Sequence, residues 1–195
     1  MHMRVEIVMP RTEDIEGAVE LAMAPGFEDW WDWYEIGGRW SGAKITDTLG
    51  KERIEAFYKL LHDRGVTVSG FQAGKHELSP PDQADMVDQL WVEHFPESGF
   101  YVCPLFKHAG PSLAGDIMLL SQLTDISGLY HVIVTDKNWE PVFDTREEYW
   151  DSAASQWVKS DWDNRLSSAL AGYVAVTRVD PRQEDWMVVT VDYHN

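Results

Sequence analysis

The stretch that decides the fold lies near the end of the chain, where residues 185–193 read DWMVVTVDY. Alternate side chains of a β-strand point to opposite faces of the sheet, so apolar residues at every second position predict a strand. One face of this strand would carry Met187, Val189, Val191 and Tyr193, and the other would carry Thr190, Asp192 and His194. A similar alternation at residues 3–9 and an apolar run at 129–136 predict two further strands.

Other segments have the spacing of amphipathic helices, in which apolar residues recur every three or four positions. One such stripe begins at Ile15 and ends at Pro25-Gly26, because Pro and Gly interrupt helices. Further helices are expected at 51–64, 82–94 and 146–170, shorter strands at 66–68, 100–105, 141–143 and 173–179, and an ordered aromatic loop or short irregular strand at 27–42. The prediction is an α+β fold, a single domain over residues 1–195 with a mainly antiparallel sheet and several packed helices, for which ferredoxin-like elements are one option.

The chain is strongly acidic. Its 195 residues include 33 Asp and Glu against 16 Lys and Arg, which gives a formal net charge of -17. Such a charge opposes bulk binding to nucleic acid or to an anionic membrane, because both are polyanions. Hydrophobic residues make up 44% of the chain and aromatic residues 12%, which is more apolar character than disordered chains have. We therefore expect a folded protein that binds neither nucleic acid nor membrane directly.

The single cysteine, Cys103, has no partner for an intramolecular disulfide or for a cysteine-based zinc or redox site. A reducing cytoplasm is therefore the expected compartment. The N-terminal residues MHMRVEIVMP carry charges within their apolar run, unlike a signal peptide, and no run approaches the roughly 18 apolar residues of a membrane span. The sequence indicates no cofactor and no metal, and it leaves the oligomeric state open.

The segment WDWYEIGGRWSG, residues 31–42, carries a resemblance to known sequences, together with VTDKNWEPV at 134–142 and VTVDYHN at 189–195. These stretches resemble a group of uncharacterised bacterial and phage proteins that share the IGGRW motif, a D-G-x-W turn before a Trp-rich helix, and a final V-V-D-C-H strand. The resemblance implies the fold and a bacterial or phage origin, but no activity. Lys137-Asn138 replaces the Asp-Gly pair of that turn. Tyr193 replaces the Cys, which argues against a thiol nucleophile at this position.

The aromatic segment is the first candidate binding site. Flat aromatic rings beside a guanidinium can hold a nucleobase or another planar ligand by stacking, with the Arg on a phosphate or an aromatic face. The candidate ligand-binding residues are Trp31, Trp33, Tyr34, Gly37, Gly38, Arg39 and Trp40, with Trp30 beside them. The alternative is that the rings fill a core, that Arg39 pairs with a nearby carboxylate such as Glu35, and that Gly37-Gly38 forms a tight bend.

A set of histidines and a carboxylate on the predicted strands is the second candidate. Asp192 and His194 share one strand face, and His131 lies on a strand that could be their neighbour in the sheet. Two imidazoles and a carboxylate can bind a metal or act as an acid–base set, so these three are the candidate catalytic residues. The alternative is a sheet-surface or buried polar role, because the sequence contains no HExxH motif and no nucleophile elbow.

Three functions follow from these features. The first is a non-enzymatic bacterial or phage protein that binds a planar, nucleotide-like ligand in a Trp/Arg-lined pocket, which in a phage would suit sequestration of a host signal as an anti-defence function. The second is an acidic protein that inhibits a basic host protein, with carboxylates and an exposed residue such as Trp162 as its contact surface. The third is a hydrolase that uses His131, Asp192 and His194.

Overall fold

The computed structural model describes residues 2–26, 31–72, 75–79, 83–106, 110–123, 125–126, 129, 131–145, 148–151, 156–159 and 165–194. The chain divides into two compact units. Unit 1 combines Met1–Glu35 with Met118–Asn195, and unit 2 is Ile36–Ile117. The predicted α+β class is confirmed, whereas the single domain over residues 1–195 stays a prediction.

The described strands and helices follow one another along the chain as follows. The strands are β1 (His2–Pro10), β2 (Trp33–Ile36), β3 (Thr67–Gln72), β4 (Lys75–Ser79), β5 (Ile117–Leu119), β6 (His131–Thr135), β7 (Pro141–Asp144), β8 (Glu148–Asp151), β9 (Gln156–Lys159) and β10 (Trp186–His194). The α-helices are α1 (Ile15–Met23), α2 (Ala43–Leu49), α3 (Lys51–Asp63), α4 (Ala84–His94) and α5 (Leu166–Thr177).

A six-stranded sheet organises unit 1. Five of its strands lie in the order β2-β10-β1-β6-β7, and β5 pairs with β10. Strand β1 is antiparallel to β10 and parallel to β6, while β6 and β7 are antiparallel, as expected for a mainly antiparallel sheet. β1 therefore lies in the middle of the sheet, where its residues 4–9 are buried.

Helix α5 covers one face of this sheet. Its buried residues Leu166, Ala169, Leu170 and Tyr173 have the i, i+3, i+4, i+7 spacing of a single helix face. They form a core cluster with sheet residues that share a face across three strands, namely Val8, Val132, Val134, Trp186 and Val188. The apolar part of this sheet face thus lies next to α5.

Unit 2 is built around an aromatic cluster between two helices. Phe57 of α3 is fully buried, and its ring meets those of Trp91 of α4 and Phe95 edge-on, at centroid distances of 5.4 Å and 5.6 Å. Gly50, with a φ of 90°, separates α3 from the preceding α2, which the sequence did not lead us to expect. The predicted helices at 51–64 and 82–94 are confirmed as α3 and α4.

The long helix predicted over residues 146–170 is wrong. Within that range the described residues form an antiparallel hairpin of β8 and β9, and α5 begins only at Leu166. Trp150 lies opposite Trp157 in the hairpin register. Two residues seven positions apart suit a helix face and a cross-strand pair equally well, so their spacing did not separate the two structures. Trp162 lies outside the described residues.

Two predicted strands are also wrong. Residues 173–177 continue α5, because Tyr173 extends its buried stripe although Val and Thr favour strands. Residues 100–105 form bends and turns. Here the N–H of Cys103 donates to the Asp88 carboxylate at 2.7 Å, and Pro104 has no N–H for a strand ladder.

No helix in the described part of the chain is long and apolar enough to cross a membrane.

The packing of α5 on the sheet can be tested on a single helix. Leu170→Ala is expected to lower the free energy of unfolding by about 2–5 kcal/mol, because it removes a buried side chain and leaves a cavity. Val176→Ala on the same helix removes an exposed side chain and is expected to stay within about 0.5 kcal/mol of the unsubstituted protein. Urea unfolding followed by circular dichroism measures both, and equal losses would contradict this packing.

Candidate functional site

Polar side chains occupy one face of the two central strands of unit 1. The register pairs His2 with His194, Arg4 with Asp192, and Glu6 with Thr190, so the six residues share a face. We call this set the β1–β10 polar row. It is continuous with the apolar part of the same face, since the next pair inward is Val8 and Val188.

The inner end of the row is a buried charged cluster. Nε of Arg4 donates to the Glu6 carboxylate at 2.7 Å, and the Thr190 hydroxyl donates to the same carboxylate at 2.9 Å. Glu6 and Thr190 are fully buried and Arg4 is 7% exposed. Burying charges costs several kcal/mol for each ion, and the interaction between opposite charges offsets that cost only with good hydrogen-bond geometry. Arg4 and Glu6 are opposite charges joined by a short hydrogen bond, so their interaction offsets part of the cost of burying them.

The outer end of the row is open to solvent. Each of its two histidines pairs with an aspartate there, His2 with Asp192 of the row and His194 with Asp32 outside it. Nδ1 of His2 lies 3.0 Å from the buried Asp192 carboxylate, and Nδ1 of His194 lies 3.0 Å from the Asp32 carboxylate. The two imidazole centroids are 5.4 Å apart. Trp33 is 43% exposed, and its ring centroid lies 5.9 Å from that of His2. The hydrogen bond with His194 is the main cause that lowers the pKa of Asp32.

His131 does not join Asp192 and His194, contrary to the predicted constellation. Strand β1 lies between β6 and β10, so the strands that carry these residues are not neighbours. His131 aligns with Val5, which shares the opposite face of the sheet with Tyr193. The predicted sharing of one strand face by Asp192 and His194 is correct, because the register places both in the polar row.

The opposite face holds a buried aromatic triad of Trp31, His131 and Tyr193. The rings of Trp31 and His131 are stacked, with centroids 6.4 Å apart and 19° between their planes. Tyr193 meets Trp31 edge-on at 5.4 Å, and its hydroxyl lies 3.3 Å from Nδ1 of His131. Contacts from two directions therefore fix the orientation of the Trp31 ring.

A cavity of about 210 Å³ lies on this face beside Trp31. Its lining residues are Ala22, Pro25, Trp31, Ile133, Pro141, Val142, Phe143 and Asp144. Asp144 is aligned with Ile133, so the two share a sheet face, whereas Phe143 shares the face of Val134 and packs near Gly172 of α5. Trp31 thus supplies the aromatic wall of the cavity, and Asp144 supplies its carboxylate.

A second cavity in unit 1, of about 260 Å³, lies at the first turn of α5 and is lined by leucines together with Asp125, Ser167 and Arg182. The Asp125 carboxylate accepts hydrogen bonds from the backbone N–H of Ser167 at 2.9 Å and from its hydroxyl at 2.7 Å. This carboxylate therefore caps a helix.

The IGGRW segment, residues 36–40, belongs to unit 2. Gly37 and Gly38 have φ values of 74° and 49°, which agrees with a tight bend. Arg39 is exposed and Trp40 is half-buried. The predicted aromatic residues of unit 1 differ in exposure, since Trp31 is 3% exposed, Trp33 is 43% exposed and Tyr34 is intermediate. Trp30 lies outside the described residues.

The bend of the IGGRW segment closes around a buried carboxylate that sequence reasoning missed. The Asp116 carboxylate accepts hydrogen bonds from the hydroxyl of Ser41 and, at 2.9 Å, from the N–H of Gly42. The buried Lys44 ammonium donates to the backbone oxygen of Asp116 at 2.9 Å. Gly37 approaches so closely that a Cβ there would overlap this carboxylate. Ser41 lies just before α2 and Lys44 lies in its first turn, and this closeness in the chain is the local signal that could have pointed to them.

Among the described residues, no group of three or more His, Cys, Asp or Glu side chains is arranged so that it could hold a metal ion. The Cys103 thiol of unit 2 is buried, and burial raises its pKa well above the usual value, which makes it a poor nucleophile.

The charge balance of the polar row can be tested by removing one charge or both. Glu6→Leu is expected to lower the free energy of unfolding by about 3–5 kcal/mol, because Arg4 would stay buried after losing its hydrogen bond and ion pair with Glu6. The double variant Glu6→Leu/Arg4→Met removes both charges and should be clearly more stable than the single variant. Urea titration measures this difference, and a double variant less stable than Glu6→Leu alone would contradict the pairing.

The close approach at Gly37 can be tested against a second glycine that also has a positive φ. Gly65, with a φ of 79°, has open space where a Cβ would lie, apart from its neighbours in the chain. Gly65→Ala should therefore lose only the backbone contribution, about 1–2 kcal/mol. Gly37→Ala should cost at least about 1 kcal/mol more, because the new methyl group must displace the Asp116 carboxylate. Thermal unfolding of the two variants is the measurement, and equal melting temperatures would contradict the contact.

Unit 1 therefore carries two arrangements that could act on a small molecule, the aromatic-walled cavity and the open end of the polar row. No family model, curated protein or solved structure matches this chain.

Proposed function

We propose that this protein binds a planar small molecule in the cavity beside Trp31. The observation that carries the proposal is the cavity of about 210 Å³ whose wall is an aromatic ring held in place by its neighbours. Small-molecule sites are concave and mostly apolar, with a few polar groups that fix the orientation of the ligand. The Trp31 cavity has this composition.

Preorganisation of the Trp31 ring favours binding. The ring is stacked on His131 and touches Tyr193 edge-on, so it need not lose rotational freedom when a ligand arrives. Immobilising a side chain on binding costs about 0.5–1.5 kcal/mol, and this cost is avoided when the side chain is already fixed. A flat ring is the ligand shape that gains most from contact with such a wall.

The size and charge of the cavity restrict the ligand class. At roughly 30 Å³ per water, the volume corresponds to about seven water molecules, which suits a single ring system better than a whole nucleotide. Asp144 lies at the cavity, and a carboxylate accepts hydrogen bonds. The ligand is therefore a planar heterocycle or cation with N–H donors at its edge, such as a nucleobase, and the anionic part of any larger molecule would lie outside the cavity.

This proposal is a narrower form of the function expected from the sequence. Of the predicted binding residues it uses Trp31 alone. Binding without turnover at this cavity would act by sequestering the ligand, in keeping with the cytoplasmic location and the bacterial or phage origin that we propose.

The proposal can be tested with two planar molecules of nearly the same shape and opposite charge. Benzamidine offers N–H donors and a positive charge, whereas benzoate offers a carboxylate. Benzamidine and adenine are expected to bind, because the Asp144 carboxylate can accept hydrogen bonds from their N–H groups. Benzoate is not expected to bind, because its negative charge is repelled by Asp144. Saturation-transfer NMR and calorimetry measure the binding.

Two matched variants tie the binding to the cavity. Val142 lines the cavity and is 41% exposed, so Val142→Phe can fill the space and should weaken benzamidine binding by roughly tenfold or more. Val176→Phe places the same residue on exposed α5 and should leave the affinity unchanged. Asp144→Asn should reduce the preference for benzamidine over benzoate. Absence of binding by all three probes, or equal affinities in the two Phe variants, would overturn the proposal.

A further inference from the structure

We infer that the open end of the β1–β10 polar row is an acid–base site that hydrolyses a neutral aromatic ester. The site consists of His2 and His194, their carboxylate partners Asp192 and Asp32, and the exposed ring of Trp33. The polar row and the face that carries His131 and Tyr193 lie on opposite sides of the sheet, so this inference is independent of the proposed ligand cavity.

The carboxylates orient both imidazoles in the same way. An ionised carboxylate only accepts hydrogen bonds, so a neutral histidine that faces it through Nδ1 donates Nδ1–H and keeps the lone pair on Nε2. His2 and His194 both face a carboxylate through Nδ1, at 3.0 Å. A histidine held in this tautomer by a carboxylate is the arrangement that serves as a general base.

The two imidazoles are close enough to act on one substrate. They belong to directly opposed residues of β1 and β10, with ring centroids 5.4 Å apart. The His2 and His194 side chains are 27% and 44% exposed, so water and a substrate can reach them. Hydrolysis of an ester needs one group to accept a proton and a second group to donate one, which a pair of histidines in different protonation states supplies.

The surroundings of the pair select a neutral aromatic substrate. Trp33 offers an exposed ring surface beside His2, and an aromatic group can stack on it. The nearby carboxylates Asp32 and Asp192 disfavour an anionic substrate, as does the net charge of -17. The positive charge of Arg4 is buried and paired with Glu6, so it offers little attraction to an anion. A neutral aryl ester carries the ring and lacks the charge.

The reaction balances with water as the only co-reactant. One histidine, in its neutral form, takes a proton from water through Nε2 as the water oxygen bonds to the carbonyl carbon, and the carbonyl electron pair moves onto its oxygen. The carbonyl re-forms as the bond between the carbon and the aryl oxygen breaks, and the other histidine, in its imidazolium form, donates its proton to that oxygen. The products are a carboxylic acid and a phenol, and proton exchange with solvent resets the pair.

Hydrolysis of phenyl acetate by the full chain is the test. His2→Gln and His194→Gln are each expected to lower kcat/KM by roughly a hundredfold or more, the usual contribution of a general acid or base. Trp33→Leu is expected to raise KM and leave kcat unchanged, because Trp33 binds the ring and transfers no proton. The leaving group of 4-nitrophenyl acetate needs no proton. With this substrate, one of the two histidine variants, the one that has lost the general acid, should lose much less activity than the other, which has lost the general base.

The control is another histidine beside an aspartate. Nδ1 of His62 lies 3.7 Å from the Asp63 carboxylate on the exposed surface of α3, so His62→Gln should leave turnover unchanged. Nitrogen NMR of the unsubstituted protein should show the Nδ1–H tautomer for neutral His2 and His194, which tests the geometry without any variant. Turnover no faster than that of free imidazole, equal activities in all three histidine variants, or the Nε2–H tautomer at both rings would overturn the inference.

Discussion

The antiparallel pairing of β1 with β10 is the constraint on which the rest of unit 1 depends. Nine residue pairs, from His2 with His194 to Pro10 with Trp186, fix which side chains share a face. A slip of one residue along either strand would exchange its two faces. Arg4 and Glu6 would then lose their places opposite Asp192 and Thr190. The polar row, the aromatic triad and the α5 core therefore all rely on one register.

How far the sequence could predict the fold depends on whether a pattern had one interpretation or two. The alternation at 185–193 favours a strand, and the structure has β10 there. The pair Trp150 and Trp157 fits a helix face or a hairpin, and the structure has the hairpin. Residues 173–177 have strand-forming side chains, yet burial of Tyr173 in the α5 core outweighs their weak local preference.

The candidate sites were harder to predict because their partners are distant in the chain. The alternation of β10 correctly placed Asp192 and His194 on one face, but the order of strands in a sheet is not encoded locally, and β1 separates His131 from them. His2 lies beside His194 because of the β1–β10 register, and Asp32 reaches His194 from outside these two strands. Neither neighbour could be predicted from the local sequence around His194. Asp116 contacts Ser41 across 75 positions, which no local pattern reveals.

The central place of β1 also has a consequence for the order of events during folding. β1 is synthesised before both of its neighbours, β6 and β10, which emerge more than 100 residues later. Until β6 and β10 are synthesised, β1 has two unpaired edges and exposes its apolar side chains on the growing chain. Such a strand can associate with other chains. Because loop closure over such distances is slow, we expect completion of this sheet to limit the folding rate, with β1 as the segment most in need of protection by chaperones.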